Sequence, residues 1–275
     1  MRDTLNGTSI EWDEAEAGAG AGVVLVHGLS EDRAAWRHQA EPFRQRFRTI
    51  LYDVRGFGGS EAADANGTID QYAEDLRALL ARLGLRRAAI VGFSMGGVIA
   101  QRFAVDHPEL PSALVIAGSS SVVNAQAATY YRERAALADA GELEAVRAAS
   151  AADGQGCFAR SAPDVIEAYC GLRRRALREP RGYASACRAM ASLHERPLTK
   201  ALAGIRCPAL VLTGERDGFC PPRAAEIIHA NLANGRLRIL PRAGHCLHWE
   251  DAAGFNEAVL DFLSAAIGSG GPSGA

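Results

Sequence analysis

Short apolar runs alternate along the chain with stretches of helical spacing. Val23–Val26, Thr49–Tyr52, Ala88–Val91, Ala113–Ala117, Ala209–Thr213 and Leu237–Leu240 are rich in Val, Ile and Leu, the composition of strands buried on both faces. Between most of them lie Arg33–Phe47, Ile69–Leu83, Met95–His107, Arg223–Leu232 and Ala252–Ile267, with apolar residues at helical intervals. Strands alternating with helices imply right-handed crossovers and a parallel sheet, so the fold class is α/β. The alternation stops once, between Ala117 and Ala209, where helical patterns appear without a strand. Helices are expected there near Ala125–Ala140, Glu142–Ala149, Asp164–Arg178 and Tyr183–Leu193, with Gly141, Gly154, Gly156, Pro163, Pro180 and Pro197 as breakers. The expected organisation is a core from residues 1–120 and 196–267 with an inserted helical cap at 121–195. Thr8–Asp13 reads as an edge strand, and the Gly/Ser/Pro-rich end, Gly268–Ala275, as a disordered tail.

Composition narrows the class. The 275 residues are 48% hydrophobic and 23% charged, which is ordinary for a soluble folded domain. Thirty basic against 32 acidic residues give a net charge of −2, so the electrostatic footprint of a nucleic-acid binder is missing. The first residues lack the apolar stretch of a signal peptide, and no window of about 18 apolar residues occurs, so a cytoplasmic protein without a membrane partner is expected. Six cysteines, at 157, 170, 187, 207, 220 and 246, form no C-x-x-C pair or zinc-ligand spacing; they read as reduced core thiols, with no metal site. Symmetric pairs are the commonest assemblies, which makes a homodimer the default expectation.

The chemistry concentrates in Ile90-Val91-Gly92-Phe93-Ser94-Met95-Gly96-Gly97, a strand ending in G-x-S-x-G and passing at once into a helix. A serine on such a turn occupies a strained backbone conformation, with small neighbours because other backbone passes close by. The turn leaves free amide N–H groups of the helix's first turn beside the hydroxyl, suited to a developing oxyanion. The motif also arises by chance in glycine-rich loops, and 29 glycines make that easier, so its partners decide the matter.

A serine hydroxyl needs an imidazole to take its proton, and the imidazole needs a carboxylate to set its tautomer. His245 is the best placed of seven histidines, after the last apolar run and before the final helix. His248 is its main competitor, or else a pocket wall; His38, His107, His194 and His229 sit within or at the ends of helical patterns and read as surface or packing residues. For the acid, Asp217 follows the run Ala209–Thr213, at the strand end where open parallel sheets bind ligands. Glu215 and Asp251 are the alternatives, and an acid after an earlier strand is excluded because Leu110–Arg132 contains no Asp or Glu. A second oxyanion donor is expected after Val23–Val26, at His27-Gly28-Leu29; the amides of Leu29 and Met95 are assigned as the two donors.

The order Ser94…Asp217…His245, with Val26-His27-Gly28 and Asp53-Val54-Arg55-Gly56-Phe57-Gly58-Gly59-Ser60 upstream, resembles the α/β-hydrolase superfamily from about Val23 to Leu263. The resemblance implies a mostly parallel sheet, a helical cap, no metal or organic cofactor, and a structural role for Asp53 and Arg55. A serine at the elbow stands apart from the family's haloalkane dehalogenases and epoxide hydrolases, which place a carboxylate there. The elbow Gly92–Gly97 looks like that of 3-oxoadipate enol-lactonases and related esterases. His245-Cys246-Leu247-His248-Trp249-Glu250 looks like the matching segment of meta-cleavage-product C–C hydrolases, although Phe93 and Leu29-Ser30-Glu31 depart from that subgroup. The expectation is a small-molecule ester or lactone hydrolase. The alternatives are C–C bond hydrolysis, a slow-turnover small-molecule receptor that keeps the triad, and perhydrolysis as a side activity.

His27, Phe93, His248 and Trp249 are expected to contact substrate. Arg173 joins them from the run Arg173-Arg174-Arg175, where it would pair with a substrate carboxylate. The ordinary reading of such a run is one solvated helix face. Tyr130, Tyr131, Phe158, Tyr169 and Met190 are pocket candidates, although aromatic and Met side chains at helical spacing are more often core.

Overall fold

The structure, a computed structural model, describes residues 1–14, 20–63 and 65–268. In chain order its elements are β1 (Arg2–Leu5), β2 (Thr8–Glu14), β3 (Gly22–Val26), α1 (Ala40–Arg44), β4 (Arg48–Tyr52), α2 (Ile69–Arg82), β5 (Ala88–Phe93), α3 (Met95–Asp106) and β6 (Pro111–Ala117). Four helices follow, α4 (Ala125–Asp139), α5 (Leu143–Gln155), α6 (Pro163–Ala176) and α7 (Pro180–Ala191). The chain then returns through β7 (Ala209–Gly214), α8 (Pro222–Ala230), β8 (Gly235–Leu240), α9 (Leu247–Glu250) and α10 (Ala252–Gly268).

The eight strands form one sheet in the order β1-β2-β4-β3-β5-β6-β7-β8. The β1–β2 and β2–β4 pairings are antiparallel, and all from β4 to β8 are parallel. Side chains alternate across the sheet as a two-residue period requires. Val24, Val26, Ile90, Leu114 and Ile116 enter one core with residues of α2, α3 and α8. Val23, Leu25, Val91, Val115 and Ala117 enter the other, against Phe43 of α1 and Phe255, Val259 and Leu263 of α10. Burial on both faces explains why these strands carry continuous apolar runs.

Several expectations need correction. Arg33–Phe47 is not one helix: a 3₁₀ turn at Arg33–Trp36, capped by the Asp32 carboxylate, precedes the short α1. Pro42 has no amide to donate to His38 O, so a continuous helix through this segment would lack a bond, and Pro is tolerated only in the first turn of α1. Thr8–Asp13 is a strand but not the edge, because β1 pairs outside it. Pro163 and Pro180 open α6 and α7 as first-turn residues. Gly154 lies inside α5 rather than ending it; a Cβ there would stand 2.8 Å from Cδ of Arg173. The expected disordered tail lies outside the described residues except for Gly268, which ends α10. Among the described residues no helix is long and apolar enough to cross a membrane.

Candidate active site

The loops leaving the carboxyl ends of β3, β5, β6, β7 and β8 meet on one side of the sheet, the edge at which parallel sheets gather ligands. Ser94 links β5 to α3 with φ 52° and ψ −117°, a left-handed conformation that costs a non-glycine residue about 1–3 kcal/mol. Its own backbone holds it there. Ser94 N–H donates to Ala117 O at 2.9 Å, and Ser94 O accepts from Gly97 N, Val98 N and Ser119 Oγ. A Cβ on Gly92 would lie 2.3 Å from Gly96 O, and one on Gly96 2.1 Å from Val26 O. Both glycines of the motif are therefore required by backbone that passes alongside, not by chance composition.

The side chain of Ser94 makes no capping bond to α3 and is turned instead to His245, with Oγ 3.1 Å from Nε2. The other ring nitrogen, Nδ1, lies 2.9 Å from Asp217 Oδ2. The second carboxylate oxygen of Asp217 accepts the amides of Phe219 at 2.8 Å and Cys220 at 2.7 Å, so the carboxylate is locked by the turn that follows β7. Glu215 instead accepts Arg242 N–H, and Asp251 the amide of Gly254, which leaves Asp217 as the acid on the imidazole. Burial pushes the His245 imidazole down, but the charge and hydrogen bond of Asp217 outweigh it and bring the value up to about 9. Such an array can pass a hydroxyl proton to an oriented imidazole and stabilise the imidazolium that results.

The loop after β3 lies beside it. His27 Nε2 accepts Val54 N–H at 2.9 Å, which leaves the proton on Nδ1 to donate to Gly28 O at 2.8 Å. The Gly28–Leu29 peptide is trans, so fixing its carbonyl toward His27 turns Leu29 N–H to the opposite side. That amide donates to no protein acceptor among the described residues, and Leu29 and Ser94 border the same cleft. Met95, first residue of α3, carries an amide that helix geometry leaves unbonded.

The cleft above Ser94 is small, about 40 Å³, and is bordered by Leu29, Glu31, Phe93, Tyr130, Asp153, Cys157, Arg173 and His245 among others. Arg173 is not on a solvated helix face: it is buried, while Arg174 and Arg175 carry the exposed side of α6. Its Nε donates to Ser150 O at 2.8 Å, and Nη1 to Leu29 O at 3.2 Å and Tyr169 Oη at 3.4 Å; Nη2 has no partner among the described residues. Tyr169 in turn donates to Glu31, whose other oxygen accepts Gly28 N–H at 2.7 Å. The buried charges of Glu31 and Arg173 thus sit on either side of one phenol. Gly154 leaves room for the guanidinium to pass.

Phe93 borders the cleft, its ring centroid 5.0 Å from that of His245 and 4.2 Å from that of His248. Three expected substrate residues are not brought there. His27 is fully buried with both ring nitrogens engaged by backbone. His248 is fully buried among Trp36, Phe93 and Phe255. Neither of its nitrogens has a partner, and burial, with the His245 and His38 charges, holds it far below the usual histidine range and so neutral. Trp249 turns inward and donates to Ala35 O at 2.7 Å. Tyr130 and Tyr131 border the cleft, Phe158 meets Tyr169 edge to face, and Met190 is core. Among the cysteines, Cys157 and Cys220 border the cleft as well, and all six are free thiols.

The model of the alpha/beta hydrolase fold family matches residues 23–252. The chain is 27% identical over 261 residues to 3-oxoadipate enol-lactonase 2 of Acinetobacter baylyi, covering 94% of this chain and 95% of that one. It is 29% identical over 262 residues to a putative carbamate hydrolase, RutD, of Variovorax paradoxus, covering 92% and 96%. Its structure is similar to that of a thermophilic esterase from Thermogutta terrifontis, solved with malate bound, with a TM-score of 0.86 and 27% identity over 97% of this chain and 99% of that one.

Proposed function

The chain belongs to the α/β hydrolase fold family, and on that premise we propose that it hydrolyses an ester or lactone of a small molecule through an acyl-enzyme on Ser94. The observation that carries this reading is the line of contacts from Ser94 Oγ through His245 to Asp217, at 3.1 and 2.9 Å, beside the unbonded Leu29 amide. Ser94 Oγ attacks the carbonyl carbon as its proton passes to His245 Nε2, and the carbonyl oxygen becomes an oxyanion held by the Leu29 and Met95 amides. The carbon–oxygen bond to the alcohol then breaks, and His245 gives its proton to the departing oxygen. Water attacks the acyl group, His245 takes a water proton and returns it to Ser94, and the acid leaves. No cofactor enters these steps.

Ester and lactone bonds are favoured over the alternatives on two grounds. Similar proteins include an enol-lactonase and an esterase. Within His245–Glu250, the segment similar to that of C–C hydrolases, the His248 and Trp249 side chains pack inward rather than toward the cleft. Helices α4–α7 form the proposed cap, roughly residues 121–195, and contribute Tyr130, Asp153 and Arg173 to the cleft. The test is a rapid-mix experiment with p-nitrophenyl acetate: a burst of p-nitrophenol equal to the enzyme concentration supports the acyl-enzyme, and linear release with no burst under conditions of slow deacylation contradicts it.

Arg173 is proposed to hold a carboxylate on the acyl portion through Nη2, while its other donors secure the Leu29 carbonyl and Tyr169. A charge-assisted hydrogen bond contributes about 1.5–3 kcal/mol. Arg173→Ala is therefore expected to raise KM for a monoalkyl succinate about tenfold or more, with a smaller change for a neutral acetate ester. An unchanged KM for the succinate ester removes the carboxylate role.

A further inference from the structure

Beside the cleft of about 40 Å³ lies a groove of about 320 Å³ between the loop after β6 and the start of α8. Tyr131, Phe219 and Cys220 border both spaces, so the two adjoin across three side chains. The groove is mainly apolar, walled by Val122, Val123, Ala127, Pro221, Ala224 and Ile227 among others. Four large apolar side chains are left exposed among the described residues, and two of them, Val122 at 36% and Phe219 at 45%, are here. Exposed apolar side chains gathered at one concavity mark a place where something apolar binds.

The chemistry of the site says which part of a substrate that is. In the reaction proposed above, on which this inference rests, the departing oxygen must come within hydrogen-bond reach of His245 Nε2 to receive its proton. The alcohol half of the ester therefore leaves on the His245 side. Phe219 lies on that side, its ring centroid 5.2 Å from that of His245. The acyl half stays with the oxyanion donors, where Leu29, Glu31 and Arg173 close the small cleft and leave space for only a few atoms.

We infer that the groove beyond Phe219 is the alcohol subsite, and that the preferred substrates are open-chain esters joining a short acyl group to an apolar alcohol of several carbons. The covalent steps are those given above: the apolar alcohol departs with the His245 proton, and the short acyl group remains on Ser94 until water removes it. A lactone cannot use the groove in the same way, because its alcohol oxygen is tethered to its own acyl chain.

Hexyl acetate and methyl heptanoate provide the test, being isomers of similar intrinsic reactivity with the long arm on opposite sides of the ester. The expected result is a kcat/KM at least tenfold higher for hexyl acetate, with a rise of about three- to four-fold per methylene along the methyl-to-hexyl acetate series. Ala224→Trp, which fills the groove, is expected to reduce the preference between the isomers to under threefold. Equal rates for the two isomers in the wild-type protein, or a preference for methyl heptanoate, overturn the inference without needing any variant to fold. So does a folded Ala224→Trp protein that keeps the full preference. Mass spectrometry of the quenched protein separates the two levels of the argument. Acyl groups on Ser94 from p-nitrophenyl acetate without a preference for hexyl acetate over methyl heptanoate sink the alcohol subsite alone; no acylation of Ser94 by p-nitrophenyl acetate under slow deacylation sinks the serine mechanism and the subsite with it.

Discussion

Ser94→Ala is expected to lower kcat/KM for a short p-nitrophenyl ester by about 10⁴-fold or more, because in the proposed mechanism it removes the atom that carries the acyl group. What remains is whatever the Leu29 and Met95 amides and His245 contribute by polarising the carbonyl and activating water, so the loss falls short of the full catalytic effect. The fold should not change. The Ser94 side chain caps no helix, and the bonds that fix residue 94 run through its backbone N–H and carbonyl, which alanine retains. Alanine inherits the left-handed backbone with the same Cβ, so thermal unfolding should occur within a degree or two of wild type. A variant that unfolds early would show that the hydroxyl has a structural part, and one that hydrolyses at the wild-type rate would exclude Ser94 as nucleophile.

The second large effect concerns Asp217 and pH. In the proposed mechanism His245 accepts the Ser94 proton only when neutral, and its value is brought up to about 9, chiefly by Asp217, against the opposing pull of burial. The sign follows directly. Below about 9 the neutral fraction falls tenfold for each pH unit, so kcat/KM should climb with unit slope from pH 6 and level off above about 9. Asp217→Asn keeps an oxygen for the Phe219 and Cys220 amides but offers an N–H to His245 Nδ1. That places the imidazole proton on Nε2, facing Ser94, where it cannot accept another. The expected cost is about 10⁴ in kcat. Without the carboxylate charge burial is opposed only by the smaller pull of Cys157 and Glu31 on His245, so the pH at which activity levels off should fall below 9. A wild-type profile that is flat from pH 6 to 9, with the chemical step limiting, would contradict the raised value of His245 that Asp217 is expected to produce.

The parts of this site that were legible in the sequence are those dictated by backbone. The strand β5, the glycines at 92 and 96 and the helix α3 follow from close approach of neighbouring backbone, and the apolar runs follow from burial on both faces. Asp217 and His245 were found because each follows a strand on the same edge of the sheet. What local pattern could not supply was the direction of side chains set by tertiary packing. Arg173, Arg174 and Arg175 are adjacent in sequence, yet only Arg173 is buried, because α5 carries glycine at 154 opposite it. His248 and Trp249 are close to His245 in the chain but belong to α9, a single turn that faces the core. Glu31 was missed as well. An acid two residues beyond Leu29 has meaning only once Tyr169, 138 residues away, is seen to donate to it. The break between Arg33 and Phe47 was visible in Pro42, whose missing amide outweighed the helical spacing around it.

The most direct measurement of the central claim is the position of the acyl group. The protein is mixed with a short activated ester, quenched in acid within the burst and digested, and the modified peptide is sequenced by mass spectrometry. The account predicts one acetyl group per chain, on Ser94 in the peptide that joins β5 to α3, and none in Ser94→Ala. The instructive competitor is Cys157, which borders the same cleft. A hydrogen bond from Cys246 and the His245 and Arg173 charges bring its thiol down to about 7 against its burial. An acetyl group found on Cys157, or on no residue while p-nitrophenol is released at the full rate, would contradict the account.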